Sequence, residues 1–229
     1  MLNFIFKLVK SARLLEEIYR LRFEVYVKEN GFISCEDCPD GKEKDKFDEH
    51  SIHIAAIDKR GILAGAVRLA LDSPYGFPIE EHCHYPIFNH KVELSRKNLL
   101  EISRLVISRD YRIGKWDDPY HVVIANESRN NLKECKCNIS PILFGLYGLA
   151  YQESKRRGLT HWLAAMEDSL FRLVALHGFI FSPLGAPIDY YGEVTPYLGE
   201  LSEIEKSVRG LKLASEDIFH RFFEPASSN

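Results

Sequence analysis

The chain has 229 residues, 45% of them hydrophobic and 12% aromatic, enough apolar content to bury a sizeable core. Its formal net charge of -3 leaves no global basic field and speaks against nucleic acid as a partner. No apolar run approaches the roughly 20 residues that span a bilayer, so membrane contact is expected to be peripheral at most.

In chain order, the opening segment "MLNFIFKLVKSARLLEEIYRLRF" carries an apolar run interrupted by Lys7 and Lys10, with no small-residue cleavage site after it. Helical periodicity runs through it and predicts a structural helix, not an export signal. The pattern is clearest over residues 11–28, where Leu14, Leu15, Ile18, Leu21 and Val25 recur between charged residues. Residues 34–50 are polar, with Cys-Pro and Asp-Gly signals, and predict an irregular loop able to fold over a site. "SIHIAAID" and "ILAGAVRLAL", separated by Lys59, Arg60 and Gly61, predict an antiparallel hairpin. Its His53 falls on the face opposite Ile52 and Ile54 and is expected to face solvent or to be hydrogen-bonded. A stretch rich in Pro, His and charge at residues 72–98 leads into a strand at 99–108, and residues 110–140 read as a polar excursion.

Pro141 opens a helix that Gly158 ends, "THWLAAM" predicts a strand, and "EDSLFRLVALHGF" predicts a helix with Asp168 or Ser169 as its N-cap. "FIFSPLG" and "PIDYYGEVTPYL" are β-type runs broken by prolines, and residues 200–223 predict a last amphipathic helix. The apolar pieces "ILFGLYGLAY" and "FRLVALHGFIF" read as core packing before they read as a ligand tunnel. No linker interrupts the chain, and residues 1–229 are read as one domain of α/β (α+β) class, a mixed sheet with helices packed on it.

The cysteines are Cys35, Cys38, Cys83, Cys135 and Cys137, an odd count that fits a reduced, cytoplasmic protein. Cys35 and Cys38 form a CxxC pair, and Cys135 and Cys137 a CxC pair about a hundred residues away. That separation is poor for a compact zinc ribbon, so no metal is assigned, although whether these four thiols bind zinc stays open. The adjacent His82, Cys83 and His84 diverge on any regular backbone and read as loop side chains.

Charge in the strand-rich half is the feature that points to chemistry. Asp45 and Asp48 precede one strand, Arg68 lies inside the next, and Glu101 and Arg104 lie in "LLEISRLVIS". Burying a charge costs several kcal/mol unless it is paired, so this pattern implies either an ion-pair network or a polar site. On a regular strand Glu101 and Arg104 point to opposite faces. A β-bulge between them would bring both to one face and free backbone groups for a substrate. A glutamate beside arginines can take a proton from an amine, directly or through water, and freed N–H groups can hold an oxyanion. Acyl transfer to an amine needs that combination and no side-chain nucleophile, in agreement with the absence of GxSxG. Ser103, on the same strand without a nearby base, is not read as a nucleophile.

These residues resemble those of the autoinducer synthases, the acyl-homoserine-lactone synthase family, which share the fold of the GCN5-related N-acyltransferases. Arg22 and Tyr26 in "YRLRFEVYV" match the family's early arginine and aromatic, and Glu43, Asp45 and Asp48 in "EKDKFD" match its acidic loop. Arg68 matches its hairpin arginine, and Glu101 and Arg104 its fourth-strand pair. Through "YRLRFEVYVKENGF", "FDEHSIH" and "HWLAAMEDSLFRLVALHGFIFSPLGAPIDYYGEVTPYL", the chain is similar to the narrower group of PEP-CTERM/exosortase-associated acyltransferases and to N-acyl amino acid synthases.

The resemblance implies a mostly antiparallel sheet splayed at strand 4, with helices on both faces. It further implies a catalytic set of Glu101, Asp45, Asp48, Arg68 and Arg104, and substrate contacts from Arg22, Tyr26, Phe32, Glu43 and Ser103. Phe32 stands where the family has an indole, which puts the lactone product in question. The implied donor is a long-chain acyl group on acyl carrier protein, the implied acceptor an amino-acid-like amine, and no cofactor is expected to stay bound. The stretch "RDYRIG" departs from the glycine-rich pyrophosphate turn of acetyl-CoA-dependent relatives, because Arg112 replaces a glycine. Arg109, Arg112 and Lys115 then form a basic patch suited to a phosphopantetheine phosphate or an acidic carrier protein. The alternatives are an acyl-CoA-dependent N-acetyltransferase and a non-catalytic acyl- or lipid-binding protein of the same fold.

Overall fold

A computed structural model of the chain describes residues 4–83, 94–112 and 141–211. Its first element is a strand, β1 (Phe4–Leu8), which pairs antiparallel with β2 (Ser51–Asp58) from Phe4↔Asp58 to Leu8↔Ile54. This corrects the helix expected at the start of the chain. Phe4, Phe6 and Leu8 alternate with the more exposed Ile5 and Lys7 and pack on the main core, a period-two pattern that a sheet edge selects over local helix periodicity.

The helix α1 (Ala12–Arg22) starts at Ser11, whose Oγ accepts from the Leu14 N–H at 3.3 Å. Leu14, Ile18 and Arg22 follow one another down its buried stripe. The predicted helix over residues 11–28 is therefore present, but beyond Arg22 it continues as a π-helical stretch, Phe23–Glu29. Asn30 ends that stretch by donating from Nδ2 to the Val25 carbonyl at 2.8 Å, and Gly31 leaves it at φ +64°.

The hairpin of β2 and β3 (Leu63–Leu71) forms as expected, and β4 (Leu99–Ile107) adds antiparallel to β3. Between them α2 (Pro78–His82), a short helix in the segment read as polar, sits against β5 (His161–Met166). The helix from Pro141 appears as α3 (Pro141–Arg156), followed by β5, α4 (Asp168–Leu176), the short strands β6 (Ser182–Pro183) and β7 (Ile188–Asp189), β8 (Glu193–Glu200) and α5 (Leu201–Gly210). Glu167, not Asp168 or Ser169, occupies the N-cap position of α4. The last helix is described only to Gly210, and the polar excursion beyond Arg112 lies outside the described residues.

The strand order is β1-β2-β3-β4-β5-β8-β6, with β7 paired to β8. Every pairing is antiparallel except that of β4 with β5. Alternation along β2 divides the core between two faces. Ile54 and Ala56 turn to α3, with Val67, Leu69, Leu146 and Trp162, whereas Ala55 and Ile57 turn to α1, with Leu14, Ile18 and Val25. Full burial of each Ile, Leu or Val contributes about 2 kcal/mol relative to exposure. α3 comes close enough to β1 that a Cβ on Gly145 would collide with the Phe6 ring.

Two irregularities position the site. Pairing runs Arg68↔Ser103 and then Ala66↔Val106, so Arg104 and Leu105 together face the single residue Val67, and Arg104 takes φ +52°. β4 also pairs with β5 only from Leu99↔His161 to Glu101↔Leu163, and the two strands part after Glu101. The sheet is thus mixed, mostly antiparallel and splayed at its fourth strand, as expected.

Candidate active site

Elements far apart in sequence deliver charge to one place. α1 ends in Arg22, the loop before β2 supplies Glu43, Asp45 and Asp48, β3 supplies Arg68, and β4 supplies Glu101 and Arg104. The loop is shaped by its own acids. Asp45 Oδ1 accepts from the Phe47 N–H at 2.9 Å, and Asp48 Oδ2 from the Asp45 N–H at 2.8 Å.

Arg22 donates from Nε to Glu43 and from Nη1 to Asp48 Oδ1 at 2.6 Å. From Nη1, Arg68 donates to Asp45 Oδ1 at 2.6 Å and to Asp48 Oδ1 at 3.2 Å, and its Nε reaches Ser103 Oγ at 3.0 Å. Arg104 donates to Glu43 Oε1 at 3.1 Å and to Asp45 Oδ2 at 3.3 Å. Three guanidinium groups therefore balance three carboxylates. Burial pushes the Glu43, Asp45 and Asp48 carboxyls up, but the arginines outweigh it and hold all three below their usual range, Asp48 at about 2. Arg68 and Arg104 thus fix the acidic loop to the sheet.

Glu101 is different. It is 1% exposed, and its Oε2 accepts from the Ile79 N–H at the start of α2 at 2.7 Å. Burial pushes its carboxyl up to about 7, against the pull of that hydrogen bond and of Arg68 and Arg104. His53, expected at the surface or hydrogen-bonded, is buried, with Nε2 3.6 Å from Asp48 Oδ1 and without a hydrogen bond there. Burial lowers its pKa to about 4, so the ring is neutral at pH 7.

A cleft with a cavity of about 120 Å³ opens where β4 and β5 diverge. Of the sequence-predicted residues, Tyr26, Phe32, Glu101, Ser103 and Arg104 line it, whereas Arg22, Glu43, Asp45, Asp48 and Arg68 form the network behind. Tyr26 donates its hydroxyl to the Leu105 carbonyl at 2.9 Å, tying the π-helical stretch to the bulge, and its ring lies 6.2 Å from that of Phe32. π-helical turns recur at functional sites, and this one delivers Tyr26 to the cleft.

The expected basic patch is described only in part. Arg109 is exposed in the turn after β4, Arg112 is ion-paired with Glu29, and Lys115 lies outside the described residues. Cys35 is exposed and Cys38 buried, and Cys135 and Cys137 lie outside the described residues. Sequence reasoning did not single out Tyr190, Tyr191, Tyr147 and Met166, which also line the cleft. The tandem aromatics before Gly192 were the available signal for the first two.

Known proteins share this fold. Residues 21–118, less than half of the chain, match the family described as an acetyltransferase (GNAT) domain. The AHL synthase LasI superposes with a TM-score of 0.62 at 15% identity, covering 90% of this chain and 95% of that one. BjaI, a CoA-dependent acyl-homoserine lactone synthase solved with SAM and isopentyl-CoA, gives 0.65 at 18% identity over 97% and 91%. FeeM, an N-acyl amino acid synthase from uncultured soil microbes, gives 0.62 at 10% identity over 91% and 98%. At these identities the structural likeness is one of fold. Residues 21–118 thus resemble an acetyltransferase (GNAT) domain, and the fold as a whole is like that of the autoinducer synthases.

Proposed function

We propose that the protein transfers a long-chain acyl group from a thioester directly to the amine of an amino-acid-like acceptor, with Glu101 as general base. The observation that carries this reading is a buried carboxyl with a pKa of about 7 in a cleft opened by the bulge and the splay. At neutral pH such a group is part ionised, suited to accept a proton from an ammonium and return it. The deprotonated amine adds to the thioester carbonyl, the tetrahedral oxyanion is met by donors at the bulge, and the C–S bond breaks as the thiol leaves with a proton. Ser103 and Arg104 would contact the reacting groups, and Tyr26 and Phe32 the acceptor. Arg22, Glu43, Asp45, Asp48 and Arg68 would act as positioning residues that hold the loop and the bulge.

For the donor we propose acyl carrier protein, met by Arg109 and Lys115, with Arg112 contributing only if it leaves Glu29. A carrier-borne donor would place the reaction in the cytoplasm, and one catalytic domain would carry it out. The likeness of "PIDYYGEVTPYL" to exosortase-associated acyltransferases supports that subgroup as our reading of the chain's relatives. The test runs acyl carrier protein and coenzyme A thioesters in parallel with pooled amino acids, measuring thiol release and product mass. Acceptor-dependent release from the carrier with an N-acyl product supports the reading, and release from coenzyme A alone moves the donor assignment. Release from neither donor would reject it.

A further inference from the structure

The β7–β8 hairpin is built to hang over the cleft. Only two residue pairs join it, Ile188↔Val194 and Asp189↔Glu193. Its tip is held by a Tyr190 N–H bond to the Gly192 carbonyl at 2.8 Å and a Gly192 N–H bond to Asp189 Oδ1 at 3.3 Å. Tyr191 sits at φ +55° and Gly192 at φ +115°, so a β-carbon is carried in the left-handed region to complete this turn. So short a hairpin needs outside contacts to stay in place.

Those contacts converge on Tyr190. Its ring stacks on His82 at the end of α2, with centroids 3.7 Å apart and planes within 14°. Tyr190 shares the cleft wall with Arg104 at the bulge, and burial raises its hydroxyl pKa against the pull of that guanidinium. One side chain therefore spans from the helix whose Ile79 N–H holds Glu101 to the residue that defines the bulge. Beneath the hairpin, Leu184 and Ile188 pack on the cluster that contains Cys83, a thiol only 2% exposed.

We propose that Tyr190 is a positioning residue that latches the hairpin over the cleft and shields the acyl thioester from water, thereby setting the ratio of aminolysis to hydrolysis. This rests on the acyl-transfer reading. In the hydrolytic branch water adds to the thioester carbonyl, the C–S bond breaks, and the products are thiol and carboxylic acid. An acceptor amine and water thus compete for the same carbonyl, and closure of the wall carrying Tyr190 excludes the smaller nucleophile until an amine occupies the cleft.

The test uses the full chain with Tyr190→Ala and Tyr190→Phe. The first readout is iodoacetamide labelling of Cys83, followed by peptide mass spectrometry and independent of any turnover. Opening the latch is expected to raise the Cys83 rate about tenfold in Tyr190→Ala, and less in Tyr190→Phe, which keeps the stack. Cys38, buried in the acidic-loop region, serves as the control. An unchanged Cys83 rate in Tyr190→Ala, or an equal rise at Cys38, overturns the latch. The second readout is acceptor-free thiol release from palmitoyl-acyl carrier protein, the donor class proposed above, expected to rise about tenfold in Tyr190→Ala. Cys83 opening without that rise overturns the shielding role. Absence of acceptor-dependent release in the unaltered protein would count against the proposed function alone, because the labelling result stands without turnover.

Discussion

Glu101 and Asp48 are buried carboxyls whose environments push them in opposite directions, and each direction carries a stability consequence. The Glu101 pKa of about 7 lies above its ordinary value, so the folded protein binds this proton more tightly than the unfolded chain does. Its stabilising contribution is fully present below pH 4 and is lost as pH rises through about 7, an effect of about 3 kcal/mol at 1.36 kcal/mol per unit. Glu101→Gln should therefore raise the melting temperature at pH 8 while lowering turnover on the order of 100-fold or more. Asp48 has the reverse sign. Its pKa of about 2 contributes stability above its usual pKa that is lost as pH falls through about 2. Asp48→Asn leaves Arg22 and Arg68 short of a carboxylate and should cost about 3–5 kcal/mol in urea unfolding at pH 7. An unchanged urea midpoint would show the network to be dispensable.

Much of this was legible at the residue scale because charges of both signs beside apolar runs have few folded solutions. The sequence did not reveal that the arginines are already balanced, since pairing depends on where the acidic loop lands. Nor did it reveal the burial of His53, whose neighbours come from α1 and the acidic loop.

At the scale of elements, the bulge was foreseeable from the spacing of Glu101 and Arg104, and the hairpin and the Pro141 helix from alternation and capping. β1 was not, because five residues sample period two and period 3.6 too briefly to separate them, and only pairing with β2 decides. The contact of α3 with β1 gives an element-scale prediction. Gly145→Ala would drive a methyl group into the Phe6 ring and should destabilise the fold by about 1–3 kcal/mol, measured by denaturant titration. Adding Phe6→Leu should recover part of that loss, and strict additivity of the two changes would contradict the packing assigned here.

For the whole molecule, the sheet brings residues from α1 to β8 to one seam, where the parallel β4–β5 pairing ends and the cleft opens. Strand order depends on crossovers and long-range pairing, so the alternation of individual segments cannot disclose it. The resemblance at Arg22, Glu43, Asp45, Asp48, Arg68, Glu101 and Arg104 bridged that gap, and it left Tyr190 and Tyr191 unassigned because they reach the cleft from the far end of the sheet.

The central claim is that Glu101 is the base. Its most direct test is the pH dependence of kcat/KM for acceptor-dependent thiol release, measured on the unaltered protein and on Glu101→Gln. The account predicts a rise through a midpoint near 7 in the unaltered protein and loss of both that limb and most of the rate in the variant. Near-normal turnover in Glu101→Gln, with the same pH midpoint, would contradict it.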